Sequence, residues 1–175
     1  DFLPAFCAVA ARSGYRVFLL GARPGVADGA RDVLMQMYPG LRVVGTYVPP
    51  NGFERDQSEN EAIIDRITTA CPDVLFVALG APKEQKWLHR HREALAVPVS
   101  MGIGSSLDYL AGRLRRAPQW MQLLGLEWTF RLWQEPGRLW RRYLINDPPF
   151  LYHVVKEIVR RRRAVDGKDS PGAAG

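Results

Sequence analysis

Four short apolar runs, each parted from the next by a segment of helical periodicity, constrain this chain more than any other feature. "YRVFLLG" (15–21), "LRVVGTY" (41–47), "DVLFVALG" (73–80) and "VPVSMGIG" (97–104) are short, and most end in glycine. That is the form of strands buried on both faces. After the first, Val26, Ala30, Val33, Leu34 and Met37 recur at helical spacing and stop at Pro39-Gly40. "SENEAIIDRITTACP" and "PKEQKWLHRHREAL" supply the helices after the second and third runs. Helices long enough to cross over between such strands predict βαβ units. The expected fold is therefore α/β: a Rossmann-like, mostly parallel sheet flanked by helices.

In a sheet of this kind ligands sit beyond the carboxyl ends of the strands. The loops there are "GARPG", "GAPKEQ" and "GIGSSLD", which makes Gly21, Gly80, Gly102 and Gly104 candidates for close backbone approach to a ligand. None of the three is a complete dinucleotide or Walker motif, and a glycine at a strand end also serves as a plain turn. Cys7 and Cys71 lie in helix-like segments without metal-ligand spacing, and both are expected to be small core residues under reducing conditions.

After Leu110 the character changes. Residues 113–163 hold twelve Arg or Lys against four Asp or Glu, whereas the whole chain carries a net charge of +6. The positive surplus is thus regional, as expected of a surface that meets phosphate. Prolines 118, 136, 148 and 149 break this region into helical pieces, and Phe150, Leu151, Val154, Val155, Ile158 and Val159 form a stripe running into Arg160, Arg161, Arg162 and Arg163. The expected organisation is a core over 1–112, a basic, aromatic, helical appendage over 113–163 and a disordered tail over 164–175. No apolar run approaches the roughly 20 residues of a spanning helix.

"VFLLGARPGVA", "LGAPKEQKW", "GIGSSLDYLAGRLRRAPQWM" and "GLEWTFRLWQEPGRLWRRY" resemble, in order and spacing, the motifs of the WecG/TagA/CpsF glycosyltransferases over about residues 1–143. The resemblance implies an inverting enzyme that moves a hexose or N-acetylhexosamine, of the N-acetylmannosamine or glucose type, from a UDP-sugar. The acceptor it implies is a polyprenol-diphosphate-linked saccharide in cell-surface polysaccharide synthesis. It also implies a cytoplasmic enzyme, peripheral on the inner face of the membrane. Arg131, Arg138 and Arg141 match arginines such enzymes use for activity, while Pro82, Lys83, Glu84, Gln85 and Asp108 match positions around the nucleotide-sugar. Guanidinium groups bind phosphate bidentately and stay charged, so they can stabilise a departing diphosphate. The chain has no Asp-x-Asp pair, and neither a metal nor another cofactor is expected. The competing reading of the arginines is solvated charge beside core tryptophans. Asp108 could equally cap a helix or pair with a cation. Glu127 precedes Arg131 by four residues and is expected to orient it.

Two departures from the family pattern matter. The family usually reads Pro-Lys-Gln-Glu where this chain has Pro82-Lys83-Glu84-Gln85, so either Glu84 accepts from the ligand or the donor sugar differs. Ser105 stands where a second glycine is usual. The family's general base, an aspartate, matches a position upstream of Asp1, so the resemblance implies the C-terminal portion of a longer enzyme, inactive if used alone. Expected partners are the UDP-sugar, the lipid-linked acceptor, an anionic membrane surface met by residues 125–163, and a second copy of the chain as an open option. Nucleic acid is not expected. The alternative is a non-catalytic module that binds UDP-sugar, or nucleic acid through its tryptophans and arginines.

Overall fold

The computed structural model describes residues 2–137, and the chain divides into two compact units, Asp1–Arg115 and Arg116–Gly175. Arg138, Arg141, the amphipathic stripe from Phe150 onward and the tail over 164–175 lie outside the described residues.

The first unit runs α1 (Phe2–Ser13), β1 (Arg16–Gly21), α2 (Val26–Met37), β2 (Arg42–Tyr47), a single 3-10 turn (Phe53–Arg55), α3 (Gln57–Ala70), β3 (Val74–Ala78), α4 (Lys83–Leu95), β4 (Val99–Gly102) and α5 (Ser106–Leu110). All strand pairs are parallel, in the order β2-β1-β3-β4. The sheet expected from the alternation is present, with each strand within a few residues of its apolar run.

Side chains alternate across the sheet with a period of two, which sorts the core into two layers. Val17, Leu19, Val74 and Phe76 face α1, α2 and α5, meeting Leu3, Cys7, Ala30, Leu34 and Leu107. Phe6 packs edge-on against Phe76 with ring centroids 5.5 Å apart. Phe18, Leu20, Leu75 and Val77 face the opposite side, where Ile63, Ile67, Trp87 and Leu95 of α3 and α4 cover them. The near-continuous hydrophobic runs are explained by this double coverage.

Polar groups pin the ends. At the amino edge of the sheet Asp73 Oδ2 accepts from the Arg16 backbone N–H at 2.7 Å and pairs with its guanidinium at 3.3 Å, aligning the starts of β1 and β3. Asp56 caps α3 by accepting from the Glu59 N–H at 3.2 Å. Buried Asn60 is a hub: its amide donates to the carbonyls of Phe53 (2.7 Å) and Asp56 (2.6 Å), and its oxygen accepts from the Trp87 indole at 2.7 Å. One side chain thereby ties the 3-10 turn, α3 and α4 together.

One sequence expectation fails here. Cys7 is buried in the core, but Cys71 is exposed at the C-cap of α3, in the left-handed region with φ 45°. The helix ends one residue before it, so a position that periodicity would place in the core follows the last turn instead.

In the second unit α6 (Gln119–Leu123) starts directly after Pro118, and α7 (Glu127–Gln134) stops two residues before Pro136. Both boundaries follow from proline, which tolerates a helix start but not its interior.

Candidate functional site

The strand order fixes where a ligand crevice forms. The chain leaves β1 toward β2 on one side and resumes with β3 on the other, so the connections diverge at the carboxyl ends of β1 and β3. Three loops meet at that edge: residues 22–25, 79–82 and 103–105.

At the centre the two backbones approach closely. The Ala22 N–H donates to the Ala78 carbonyl at 2.7 Å, and Gly21 has φ 102°, where a Cβ would fall 2.7 Å from the same oxygen. Only glycine fits there, and this packing is sufficient reason for Gly21 irrespective of a ligand. Gly25, in the left-handed region, opens α2 without a side-chain cap, and the Val26 N–H donates instead to the Arg23 carbonyl at 2.9 Å.

The other two loops are joined by an acid. Glu84, in the first turn of α4, is only 3% exposed. Its Oε2 accepts from the Gly80 N–H at 3.1 Å and from the Gly104 N–H at 3.2 Å, while Oε1 accepts from the Gln85 amide at 3.3 Å. Gly102 lies behind it, where a Cβ would sit 2.9 Å from Glu84 Cγ and Cδ. Gly80, Glu84, Gln85, Gly102 and Gly104, named separately from the sequence, thus form one contiguous cluster. Asp108 is buried on α5 next in the chain, and its carbonyl accepts from the N–H groups of Arg113 (3.0 Å) and Leu114 (3.2 Å). Pro82 is the N-cap residue of α4, following a cis Ala81–Pro82 bond.

Lys83 is engaged elsewhere. Its ammonium pairs with Glu54 of the 3-10 turn and stands 5.9 Å from the centre of the Phe53 ring. The Lys83 contact holds the Glu54 carboxyl below its ordinary value. Beside this pair is a cavity of about 310 Å³, lined by Glu54, Pro82, Lys83, Lys86, Trp87 and Arg90. Burial next to Trp87, with Arg90 adjacent, lowers the His91 pKa. Of this group only Pro82 and Lys83 are expected from the sequence. Positions 83, 86, 87 and 90 recur at helical spacing, and that stripe is the signal that could have grouped them. Asn60 carries a similar signal, as a polar residue in register with Ile63 and Ile67.

In the second unit Arg131 lies in the last turn of α7, its Nε shielded from solvent, with Glu127 in the first turn of the same helix. Trp133 is 78% exposed and Trp120 58% exposed. Among the described residues no three His, Cys, Asp or Glu side chains converge as metal ligands.

Residues 1–164 match the glycosyl transferase WecG/TagA/CpsF family. The chain belongs to this family. Similar curated relatives carry the name N-acetylglucosaminyldiphosphoundecaprenol N-acetyl-beta-D-mannosaminyltransferase. The one from Bacillus subtilis (strain 168) is 34% identical over 157 residues, 90% of this chain and 58% of the relative. That from Staphylococcus aureus (strain NCTC 8325 / PS 47) is 34% identical over 144 residues, 81% of this chain and 52% of the relative. The relative from Bacillus spizizenii is 33% identical over 141 residues. The chain therefore spans little more than half the length of these WecG/TagA/CpsF relatives.

Proposed function

We propose that this chain is the nucleotide-sugar-binding part of a glycosyltransferase that transfers a sugar from a UDP-sugar to a polyprenol-diphosphate-linked saccharide. The observation that carries the reading is the family match over residues 1–164, joined to a parallel sheet whose switch point falls at the loops bearing the family motifs. The names of the relatives favour N-acetylmannosamine as the sugar and a diphosphoundecaprenol-linked N-acetylglucosamine as the acceptor.

In the proposed reaction the bond from the anomeric carbon to the diphosphate oxygen breaks, and the acceptor hydroxyl attacks from the opposite face with inversion. UDP leaves with the bonding electrons, and the hydroxyl proton passes to a general base. No residue within 2–137 is assigned as that base. Negative charge grows on the leaving diphosphate, and preorganised donors lower the barrier by meeting it there. The N-terminus of α2 offers such donors beside the switch point. Arg131, Arg138 and Arg141 are assigned to the same charge, with cations that need no metal. Asp108 is assigned to hydroxyls of the ribose or the sugar, and the loops carrying Gly21, Gly80, Pro82, Gly102 and Gly104 to the walls of the pocket. Gln85 reaches the site through Glu84, whereas Lys83 is paired with Glu54 of the 3-10 turn.

Among the described residues no helix is long and apolar enough to cross a membrane. A lipid-linked acceptor calls for peripheral contact at the cytoplasmic surface, and residues 125–163 with their cations and tryptophans suit that contact.

Calorimetry tests this reading. UDP is expected to bind saturably, more tightly than ADP, with the same affinity in EDTA and no displacement by an RNA oligonucleotide. Arg131→Ala should lower transfer about 100-fold relative to the natural sequence while melting is unchanged. Absence of UDP binding, or its complete loss in EDTA, would overturn the proposal.

A further inference from the structure

A backbone N–H at the carboxyl edge of a parallel sheet is ordinarily a donor available to a ligand's phosphate. In this protein two such donors, Gly80 and Gly104, are already bonded to one oxygen of Glu84. The carboxylate is buried, takes a third hydrogen bond from Gln85, and fills the space that Gly102 leaves open. It therefore occupies the place of an external anion and bridges the 79–82 and 103–105 loops. A phosphate arriving here would meet a filled donor pair and a like charge in a region where water cannot screen it.

We propose that Glu84 is a positioning residue with two effects: it sets the spacing of the two loops, and its charge steers the diphosphate of the ligand away from the Gly80 and Gly104 amides. The inference rests on the nucleotide-sugar reading given above.

The two effects respond differently to substitution. Glu84→Gln keeps an acceptor oxygen and removes the charge. Glu84→Ala removes both. Gly102→Ala leaves the acid in the chain but drives a methyl into its Cγ and Cδ. Amide hydrogen exchange at Gly80 and Gly104, measured by NMR on the ligand-free chain, reads the bridge without reference to any ligand. Both amides should be protected in the natural sequence and in Glu84→Gln, and exchange about tenfold faster or more in Glu84→Ala and Gly102→Ala. Calorimetry with uridine and UDP then reads the consequences. Uridine affinity should fall in Glu84→Ala and Gly102→Ala and hold in Glu84→Gln, while the ratio of UDP to uridine affinity should rise severalfold in Glu84→Gln.

Exchange unaffected by Glu84→Ala would overturn the bridge. A fall in UDP affinity in Glu84→Gln with protection intact would show the carboxylate touching ligand, and would overturn the steering. If the natural chain protects both amides but binds no UDP, the functional reading fails and takes the steering with it, while the bridge stands. Should Glu84→Ala not fold, Gly102→Ala supplies the same two measurements.

Discussion

At Cys7 and Cys71 the same side chain meets opposite environments, and its chemistry diverges accordingly. Burial raises the Cys7 thiol to about 11, so the reactive thiolate is suppressed as well as shielded. Cys71 is exposed, its Sγ 3.1 Å from the Thr68 carbonyl. A thiol reagent in excess should modify Cys71 alone in the native protein and both cysteines in denaturant, as mass spectrometry would show. Modification of Cys7 under native conditions would mean that the layer containing α1 opens locally. At this scale the sequence was only partly readable. Both cysteines look alike in a string of letters, and the difference comes from a helix that stops one residue earlier than its apolar pattern suggests. Glu84 gives the same lesson in reverse: its departure from the usual order was visible, but its partners are backbone amides up to twenty residues away, which no local pattern can announce.

Among the elements, acids hold the boundaries and give the fold a definite pH dependence. Arg16 holds the Asp73 carboxyl below its ordinary value of 3.8, Ser58 and the Glu59 amide do so for Asp56, and Lys83 does so for Glu54 from 4.5. A carboxyl whose pKa is lower folded than unfolded stabilises the fold above its unfolded value, and loses that contribution as pH falls through the folded one. His91 shifts in the same direction from 6.5, by burial, so its neutral form is favoured in the fold. Stability should therefore decline slightly below pH 6.5 and more clearly below about pH 4.5. Urea titrations at stepped pH would show this, and Asp73→Asn should flatten the lower part of the curve. Asp56 is exposed, and the Asp73 and Glu54 side chains are 35% and 30% exposed, so each contributes modestly. The strands and helices themselves were legible from periodicity, since each apolar run is covered on both faces. The ties between them, such as Asn60 with Trp87 and Glu54 with Lys83, were not, because they link residues 27 and 29 positions apart.

For the whole molecule, the first unit contains both hydrophobic layers and all four strands of the sheet, which is what independent folding requires. A chain ending at Arg115 should unfold cooperatively and keep the protection of the Gly80 and Gly104 amides. Circular dichroism melting with hydrogen exchange would check this, and a broad, non-cooperative melt would show that the second unit is needed for the core. In the first unit the family resemblance was legible at the loops after β1, β3 and β4, which the parallel sheet brings to one edge.

The strand order also governs how the molecule comes into being. β1 pairs with β2, 26 residues further on, and with β3, 57 residues further on, and it joins the two halves of the sheet. A chain emerging from the ribosome has α1, β1, α2 and β2 in hand well before β3, so the layer built on Val17 and Leu19 begins to close first. Phe18 and Leu20, on the opposite face of the same strand, wait for α3 and α4. Until then one side of the nascent sheet is greasy and bare, and chaperone recognition during synthesis should centre on that face.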